Sequence, residues 1–275
     1  MINPDQPPHA RPRHAPPPDP DLAPSSSAAR AARACAREHR LRIPVTEQAL
    51  LTVLTRWYDV CKQAELLEDG RVDLCAGGRH RITVRGNAPQ SRRTWTLAHE
   101  LGHLIAVRYS PVDEERWCNA FAAELLLPER WVQDHREGPQ SLEALARIAQ
   151  SAGQSRAATL GRLRRSAGWK AALLTFTRDD KRWVLLSTTG LEARVRQRLL
   201  SAPDTGSVLT SSTEPMGRLL PLRAGARIVV VEAECLAATE YAWVLLGTKA
   251  VNDIRRALAR PATQGRPTSN LPYTG

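Results

Sequence analysis

Long apolar runs are missing from this sequence. No stretch of the 275 residues approaches the roughly 18–20 apolar residues that a membrane-spanning helix needs. The N-terminus also lacks the apolar block of a secretory signal peptide. We therefore expect a cytoplasmic protein. Hydrophobic residues make up 42% of the chain, which is enough for a substantial core.

Paired cysteines are missing as well. The five cysteines are odd in number, scattered, and form no Cys-x-x-Cys pair. This pattern argues against a disulfide framework and against a zinc site built from cysteines. The cysteines are Cys35, Cys61, Cys75, Cys118 and Cys235.

Acidic residues are fewer than basic ones, at 28 against 39, which gives a net charge of +11. An excess of positive charge of this size suggests that the protein is attracted to polyanions. Because a high arginine content can also reflect genome base composition, a nucleic-acid function requires a localised basic patch. Residues 141–170 are the candidate, with six basic residues against one acidic residue: Arg147, Arg156, Arg162, Arg164, Arg165 and Lys170.

One short segment, TWTLAHELGHLI from Thr94 to Ile105, carries a recognisable chemistry. His99 and His103 stand four residues apart, so on a helix they share a face and can reach the same cation. Glu100 lies about 100° further round the helix axis. This is the His-Glu-x-x-His pattern, in which two imidazoles hold Zn²⁺ and the glutamate accepts a proton from the attacking water.

A catalytic zinc has three protein ligands, and the two histidines supply only two of them. The segment 113–128, DEERWCNAFAAELLLP, is predicted to be a second helix, with acidic residues at its start and a proline at its end. Four side chains in it are candidate ligands: Glu114, Glu115, Cys118 and Glu124. The type of ligand favours zinc, while Mn²⁺ or another divalent ion stays open.

The segments RRTWTLAHELGH and EERWCNAFAAELLLP together resemble the ImmA/IrrE family of metallo-endopeptidases. The resemblance implies that His99, His103 and Glu115 bind one Zn²⁺ and that Glu100 is the general base. Glu115 is preferred because it stands four residues before Asn119, where the family has its glutamate.

The same resemblance implies a zincin-like metallopeptidase domain. It further implies a regulatory activity, in which the enzyme cleaves a helix-turn-helix transcriptional repressor in response to stress or to the signal of a mobile element. A residue that stabilises the anionic intermediate is also needed. Tyr109, Arg130 and His135 are chemically able to do so, and the sequence does not choose among them.

Composition and periodicity predict an α+β protein. We expect a disordered proline-rich arm over residues 1–26, a zincin-like domain over 27–136, a helix-turn-helix-like pair over 137–170, a small α+β domain of unknown role over 171–259 and a disordered tail over 260–275.

Within the zincin-like domain, the sequence predicts a helix from Ser27 to Arg40 and a longer one from Val45 to about Leu67. Alternating residues at Arg71–Cys75 and Arg79–Val84 predict a β-hairpin. By analogy with zinc peptidases of this general build, the strand ending near Val84 is a candidate edge for binding substrate as an added strand.

Residues 141–169 predict two helices that separate near Gly153, with Ser155 capping the second. Two interpretations are open. The pair either completes the peptidase fold, which we favour, or contacts nucleic acid as a helix-turn-helix. The second interpretation gives an alternative function, a DNA-binding regulator with a structural or sensing zinc.

The C-terminal domain is predicted from short alternating and apolar segments. The expected strands are Ala171–Thr177, Trp183–Ser187, Arg227–Ala233 and Tyr241–Leu246, and the expected helices are Leu191–Leu200 and Val251–Ala259.

Overall fold

The structure is a computed structural model. It describes residues 26–75, 80–179, 182–200, 212–224, 227–238 and 241–259. Helices and two sheets are mixed in this part of the chain, so the predicted α+β class is confirmed. The predicted arm, except for Ser26, and the predicted tail lie outside the described residues. Among the described residues, no helix is both long enough and apolar enough to cross a membrane.

The chain divides into two compact units between Leu173 and Leu174. The predicted domain boundaries remain predictions. The first unit contains α1 (Ser26–Glu38), α2 (Glu47–Leu54), β1 (Asp59–Gln63), β2 (Gly70–Leu74), β3 (His80–Arg85), α3 (Gln90–Ala106), α4 (Glu114–Leu126), α5 (Glu129–Gln133), α6 (Leu142–Ala152) and α7 (Arg156–Ser166).

The sheet of the first unit has three strands in the order β1-β3-β2. Strand β3 pairs in parallel with β1 and antiparallel with β2, so that Val60 and Val72 both lie opposite Ile82. The antiparallel pair confirms the predicted hairpin, although its turn at 76–79 lies outside the described residues. The prediction that the strand ending near Val84 is a free edge is wrong, because β3 is central. Strand β2 is an edge instead.

The predicted helix from Val45 to Leu67 is also wrong beyond Leu54. Helix α2 begins after Thr46, whose side chain accepts a hydrogen bond from the Ala49 amide at 3.1 Å, and it ends at Leu54. The chain then turns and enters strand β1. Pairing with β3 gives this segment main-chain hydrogen bonds and places Val60 beside the core, which outweighs its helical pattern.

Helix α3 lies in the core of the first unit, in contact with α2, α4 and strands β2 and β3. Its apolar positions bury the helix as the sequence predicts. Replacing a fully buried ring such as Phe121 by alanine costs about 3–5 kcal/mol at such a site. The buried side chains around α3 include Leu50, Leu54, Ile82, Val84, Leu97, Leu101, Phe121 and Leu125.

The predicted helical pair is present as α6 and α7. Ser141 caps α6 by accepting from the Ala144 amide at 3.1 Å, and Ser155 caps α7 by accepting from the Ala158 amide at 3.2 Å. Gly153 ends α6 with a φ of 64°, a left-handed conformation that suits glycine. Helix α7 packs against α5 and α6.

The second unit has a five-stranded sheet with the order β5-β4-β8-β7-β6. Six of its elements match predictions within a few residues. Strand β6 was not predicted, because it contains Pro215 and Pro221; its place at the sheet edge tolerates the missing amide donors. The elements are β4 (Ala172–Asp179), β5 (Arg182–Thr189), α8 (Ala193–Leu200), β6 (Ser212–Ala224), β7 (Arg227–Ala237), β8 (Tyr241–Leu246) and α9 (Thr248–Ala259).

Candidate metal centre

Helix α3 places the two histidines of the motif side by side. The Nε2 atoms of His99 and His103 lie 3.1 Å apart. Both side chains are buried, and their rings meet edge to face with centroids 4.8 Å apart. The separation of four residues on one helix face produces this arrangement, as the sequence predicts.

Helix α4 brings a carboxylate to the same point. Glu115 has one oxygen 3.4 Å from Nε2 of His99 and the other 3.5 Å from Nε2 of His103. Close packing of α3 on α4 makes this reach possible. A β-carbon at Gly102 would lie 3.2 Å from the main chain of Cys118, so a larger residue would press the two helices apart.

The spacing of these three groups fits a single metal ion. Donor atoms bound tetrahedrally at about 2.0–2.1 Å from Zn²⁺ lie about 3.3–3.4 Å from one another. The two Nε2 atoms lie 3.1 Å apart, and each lies 3.4 or 3.5 Å from a different oxygen of the Glu115 carboxylate, so all three distances are close to that value. Two imidazole nitrogens and a carboxylate are also the donors of many catalytic zinc sites, which use three protein ligands. His99, His103 and Glu115 could therefore hold a divalent cation.

Glu114 takes a different position from Glu115. Its Oε1 lies 2.5 Å from Nδ1 of His103, on the opposite side of the imidazole from Nε2. His103, Glu114 and Cys118 also lie close enough to be considered as a second group of ligands. However, 2.5 Å is too short for two donors of one tetrahedral ion, so the contact between Glu114 and His103 is a short hydrogen bond and not shared coordination. On helix α4, Glu115 thus faces the metal position, whereas Glu114 is hydrogen-bonded to Nδ1 of His103.

Glu124, the fourth candidate ligand, is used elsewhere. It is buried and forms ion pairs with Arg162 and with Arg33, the latter at 2.9 Å. Arg162 is fully buried and also donates to the Leu127 carbonyl at 2.9 Å, the carbonyl that follows α4. Burial lowers the pKa of Arg162, while the charge of Glu124 opposes that shift. Glu124 therefore joins α4 to α1 and α7 and does not act at the metal position.

Glu100 is buried on helix α3, where it follows His99 in the chain. It does not belong to either group of possible ligands. A β-carbon at Gly70, the first residue of edge strand β2, would lie 3.5 Å from Oε1 of Glu100. The carboxylate therefore lies between helix α3 and the beginning of β2.

The three candidates for stabilising an anionic intermediate lie on different elements. Tyr109 follows α3, and its ring lies 5.3 Å from that of Trp117 on α4. Arg130 is exposed on α5. His135 packs edge to face against Trp131, with centroids 4.8 Å apart. These contacts do not select one of the three.

The basic residues of the helical pair are distributed between the interior and the surface. Arg162 is buried, and Arg164 donates to the Ala171 carbonyl at 2.5 Å. Burial lowers the pKa of Arg156. Only Arg147 and Lys170 of the six basic residues are exposed. This distribution favours the interpretation in which the pair completes the fold over the one in which α7 contacts nucleic acid.

Comparison with known proteins places this site in a class. Residues 62–164 match the model of a peptidase family, described as the IrrE N-terminal-like domain. The matched segment contains both histidines, Glu100 and Glu115, so this part of the chain is a metallopeptidase-family domain. Over these residues the chain matches the model of the IrrE-like family, and the resemblance seen in the sequence is confirmed.

Other comparisons add little. A solved structure, described as a Mycobacterium tuberculosis transcriptional regulator, is similar with a TM-score of 0.45 and 13% sequence identity, over 86% of this chain and 81% of that one. A similarity of this size carries no argument about function. No curated protein matches the sequence.

Proposed function

We propose that this protein is a zinc-dependent endopeptidase with one Zn²⁺ held by His99, His103 and Glu115. The observation that carries the proposal is a cluster of two imidazole nitrogens 3.1 Å apart and one carboxylate, whose two oxygens lie 3.4 and 3.5 Å from those nitrogens. Two helices contribute the cluster, and the buried Glu100 follows His99 in the chain. Membership of a metallopeptidase family supports it independently. The helices and sheet around α3 are consistent with a zincin-like fold.

The proposed chemistry divides between the metal and the chain. Zn²⁺, when bound, supplies Lewis acidity that polarises the attacking water and the peptide carbonyl. In the proposed mechanism Glu100, which follows His99 on α3, accepts a proton from the water at its carboxylate. It then delivers the proton to the leaving amine nitrogen, which completes hydrolysis.

Strand β2 is the proposed site for the substrate main chain. It is an edge of the three-stranded sheet, and Gly70 at its start lies against Glu100. An extended peptide added to this edge would gain main-chain hydrogen bonds with little demand on its sequence. The peptide bond nearest Gly70 would then lie beside the general base.

The proposed substrate is a helix-turn-helix transcriptional repressor in the cytoplasm, cut during a regulatory or stress response. This part of the proposal rests on family membership, because members of the ImmA/IrrE family have that role. We propose no role for nucleic acid, since most of the basic side chains in the helical pair are wholly or partly buried.

The experiment compares the wild-type protein with Glu100→Gln, and with Glu143→Gln, an exposed glutamate on α6, as control. Each zinc-loaded protein is incubated with a proteome-derived peptide library and with the repressor encoded nearest to its gene. New termini are then identified by mass spectrometry. We expect cleavage by wild type and Glu143→Gln, none by Glu100→Gln, and equal zinc content in all three. Cleavage by Glu100→Gln would refute the proposed role of Glu100 as general base. If the wild-type protein cleaved neither the library nor the repressor, the proposed endopeptidase activity would be refuted.

A further inference from the structure

Glu114 forms the shortest contact described at the metal centre. Its Oε1 lies 2.5 Å from Nδ1 of His103, while Nε2 of the same ring faces His99 and Glu115. The side chain of Glu114 is 52% exposed, so the carboxylate keeps access to water while it contacts the buried ring. One imidazole is thus in contact with a carboxylate at each of its two nitrogens.

Consecutive residues of α4 produce this arrangement. Residues 114 and 115 lie about 100° apart around the helix axis. Asp113 caps the helix by accepting from the Arg116 amide at 3.1 Å, which fixes the first turn that carries both glutamates. Close packing at Gly102 then places that turn against His103, with one carboxylate on each side of the ring.

The contact determines which nitrogen can bind metal. A neutral imidazole has one N–H donor and one acceptor nitrogen. A carboxylate at Nδ1 favours the tautomer in which Nδ1 carries the hydrogen, so the lone pair of Nε2 points at the metal position. Carboxylates in this role also restrict the rotation of the imidazole.

His99 has no equivalent support in the described part of the chain. Its Nδ1 is buried and has no hydrogen-bond partner there. Of the two histidine rings, His103 therefore has a carboxylate that fixes its orientation, and the geometry of the pair depends on Glu114. Cys118, the other side chain near His103 and Glu114, is fully buried.

We propose that Glu114 is a positioning residue that fixes the tautomer and orientation of His103 for metal binding. The inference rests on the proposed metal site and assigns Glu114 a role separate from that of Glu115. Loss of such a carboxylate typically weakens metal binding by about 10–100-fold. Glutamine keeps an oxygen that accepts from Nδ1–H, whereas leucine keeps only the approximate size.

The test compares Glu114→Leu and Glu114→Gln with wild type, and uses Glu143→Leu, another first-turn glutamate, as the matched control. The zinc dissociation constant is measured by chelator competition on metal-free protein. The absorption spectrum after Co²⁺ substitution reports the ligand set. Unfolding temperatures of the metal-free proteins report folding.

We expect about 10–100-fold weaker zinc binding in Glu114→Leu, a smaller loss in Glu114→Gln and none in Glu143→Leu. The Co²⁺ spectrum should keep the band positions of the wild type in all variants. Unchanged affinity in Glu114→Leu overturns the inference and leaves the peptidase proposal standing. The inference is also overturned if zinc affinity falls severely and equally in both Glu114 variants and the Co²⁺ spectrum changes, because Glu114 would then be a metal ligand. Failure of wild type to bind zinc overturns both proposals.

Discussion

Gly70 and Glu100 lie against each other across the space between strand β2 and helix α3. A β-carbon at position 70 would approach Oε1 of Glu100 to 3.5 Å, an ordinary contact, but would lie 2.2 Å from the methyl carbon of Thr96. Thr96 is buried, and its hydroxyl donates to the Arg92 carbonyl at 3.0 Å, so the methyl group has little freedom to move. Only glycine allows the edge strand to lie this close to the proposed general base.

Gly70→Ala should therefore displace β2 from α3 and slow peptide cleavage. A displacement of about 1 Å can cost about 100-fold in rate. Zinc affinity should stay at the wild-type value, because none of the metal ligands lies on β2. Adding Thr96→Ser, which removes the methyl group, should restore most of the activity. Gly86→Ala is the control, since its β-carbon would meet nothing closer than 3.5 Å. Full activity in the single Gly70→Ala variant would contradict the proposed substrate edge.

Glu115→Gln should weaken zinc binding more than any change at Glu114. The carboxylate oxygens of Glu115 lie 3.4 and 3.5 Å from the histidine nitrogens, whereas a neutral amide oxygen is a poorer ligand. We expect a loss greater than the roughly 100-fold upper bound for an indirect residue. Chelator competition measures it, and Glu129→Gln, an exposed glutamate on α5, is the control. Equal affinity in wild type and Glu115→Gln would remove Glu115 from the site.

Arg162→Met should destabilise the first unit severely. The substitution leaves the buried carboxylate of Glu124 without its buried counter-charge and the Leu127 carbonyl without its donor. Breaking one side of a buried pair costs about 3–5 kcal/mol. Urea unfolding measures the loss, with exposed Arg147→Met on α6 as control. Replacing Glu124 by leucine in the same protein should recover part of it. A loss no larger than that of Arg147→Met would contradict the assigned burial.

The acid stability of the protein should depend on Glu47. The Arg93 guanidinium hydrogen-bonded to it, at 2.9 Å, and then Lys62 hold the pKa of this buried carboxyl below its ordinary value of 4.5, against the effect of burial. Because the folded-state pKa is the lower one, the stabilisation is complete above 4.5 and is lost as the pH falls through the lowered pKa.

We expect the free energy of unfolding to fall less steeply over that acid range in Glu47→Gln than in wild type. Urea unfolding at a series of pH values measures the slope. Exposed Glu65→Gln is the control and should follow wild type. Parallel profiles for wild type and Glu47→Gln would show that this ion pair does not contribute.

The elements around the metal centre could be predicted because their patterns are local. The spacing of His99 and His103 and the apolar positions around them indicate a buried helix. The acidic start and proline end indicate α4. Strand β1 could not be predicted this way, since its residues carry a helical pattern. They become a strand only because β3 offers them a partner distant in sequence.

The sequence pattern also could not distinguish the metal ligand among Glu114, Glu115 and Glu124. All three are ordinary helix glutamates in the sequence, and family resemblance alone favoured Glu115. The structure separates them by the rotation of α4 relative to α3 and by the position of Arg162. Arginines are mostly exposed, so composition places Arg162 on a basic surface, whereas it lies in the core opposite Glu124.

The ion pair between Arg162 and Glu124 has a consequence for any shortened form of the protein. Glu124 and Glu115 belong to the same helix. The ion pair that fixes the C-terminal end of α4 therefore also restricts the movement of the end that carries Glu115. A fragment that stops at residue 136, before α6 and α7, would retain every side chain of the metal centre. It would nevertheless leave the carboxylate of Glu124 buried without the Arg162 charge and loosen the helix that carries Glu115. Such a fragment should therefore bind the proposed metal ion weakly.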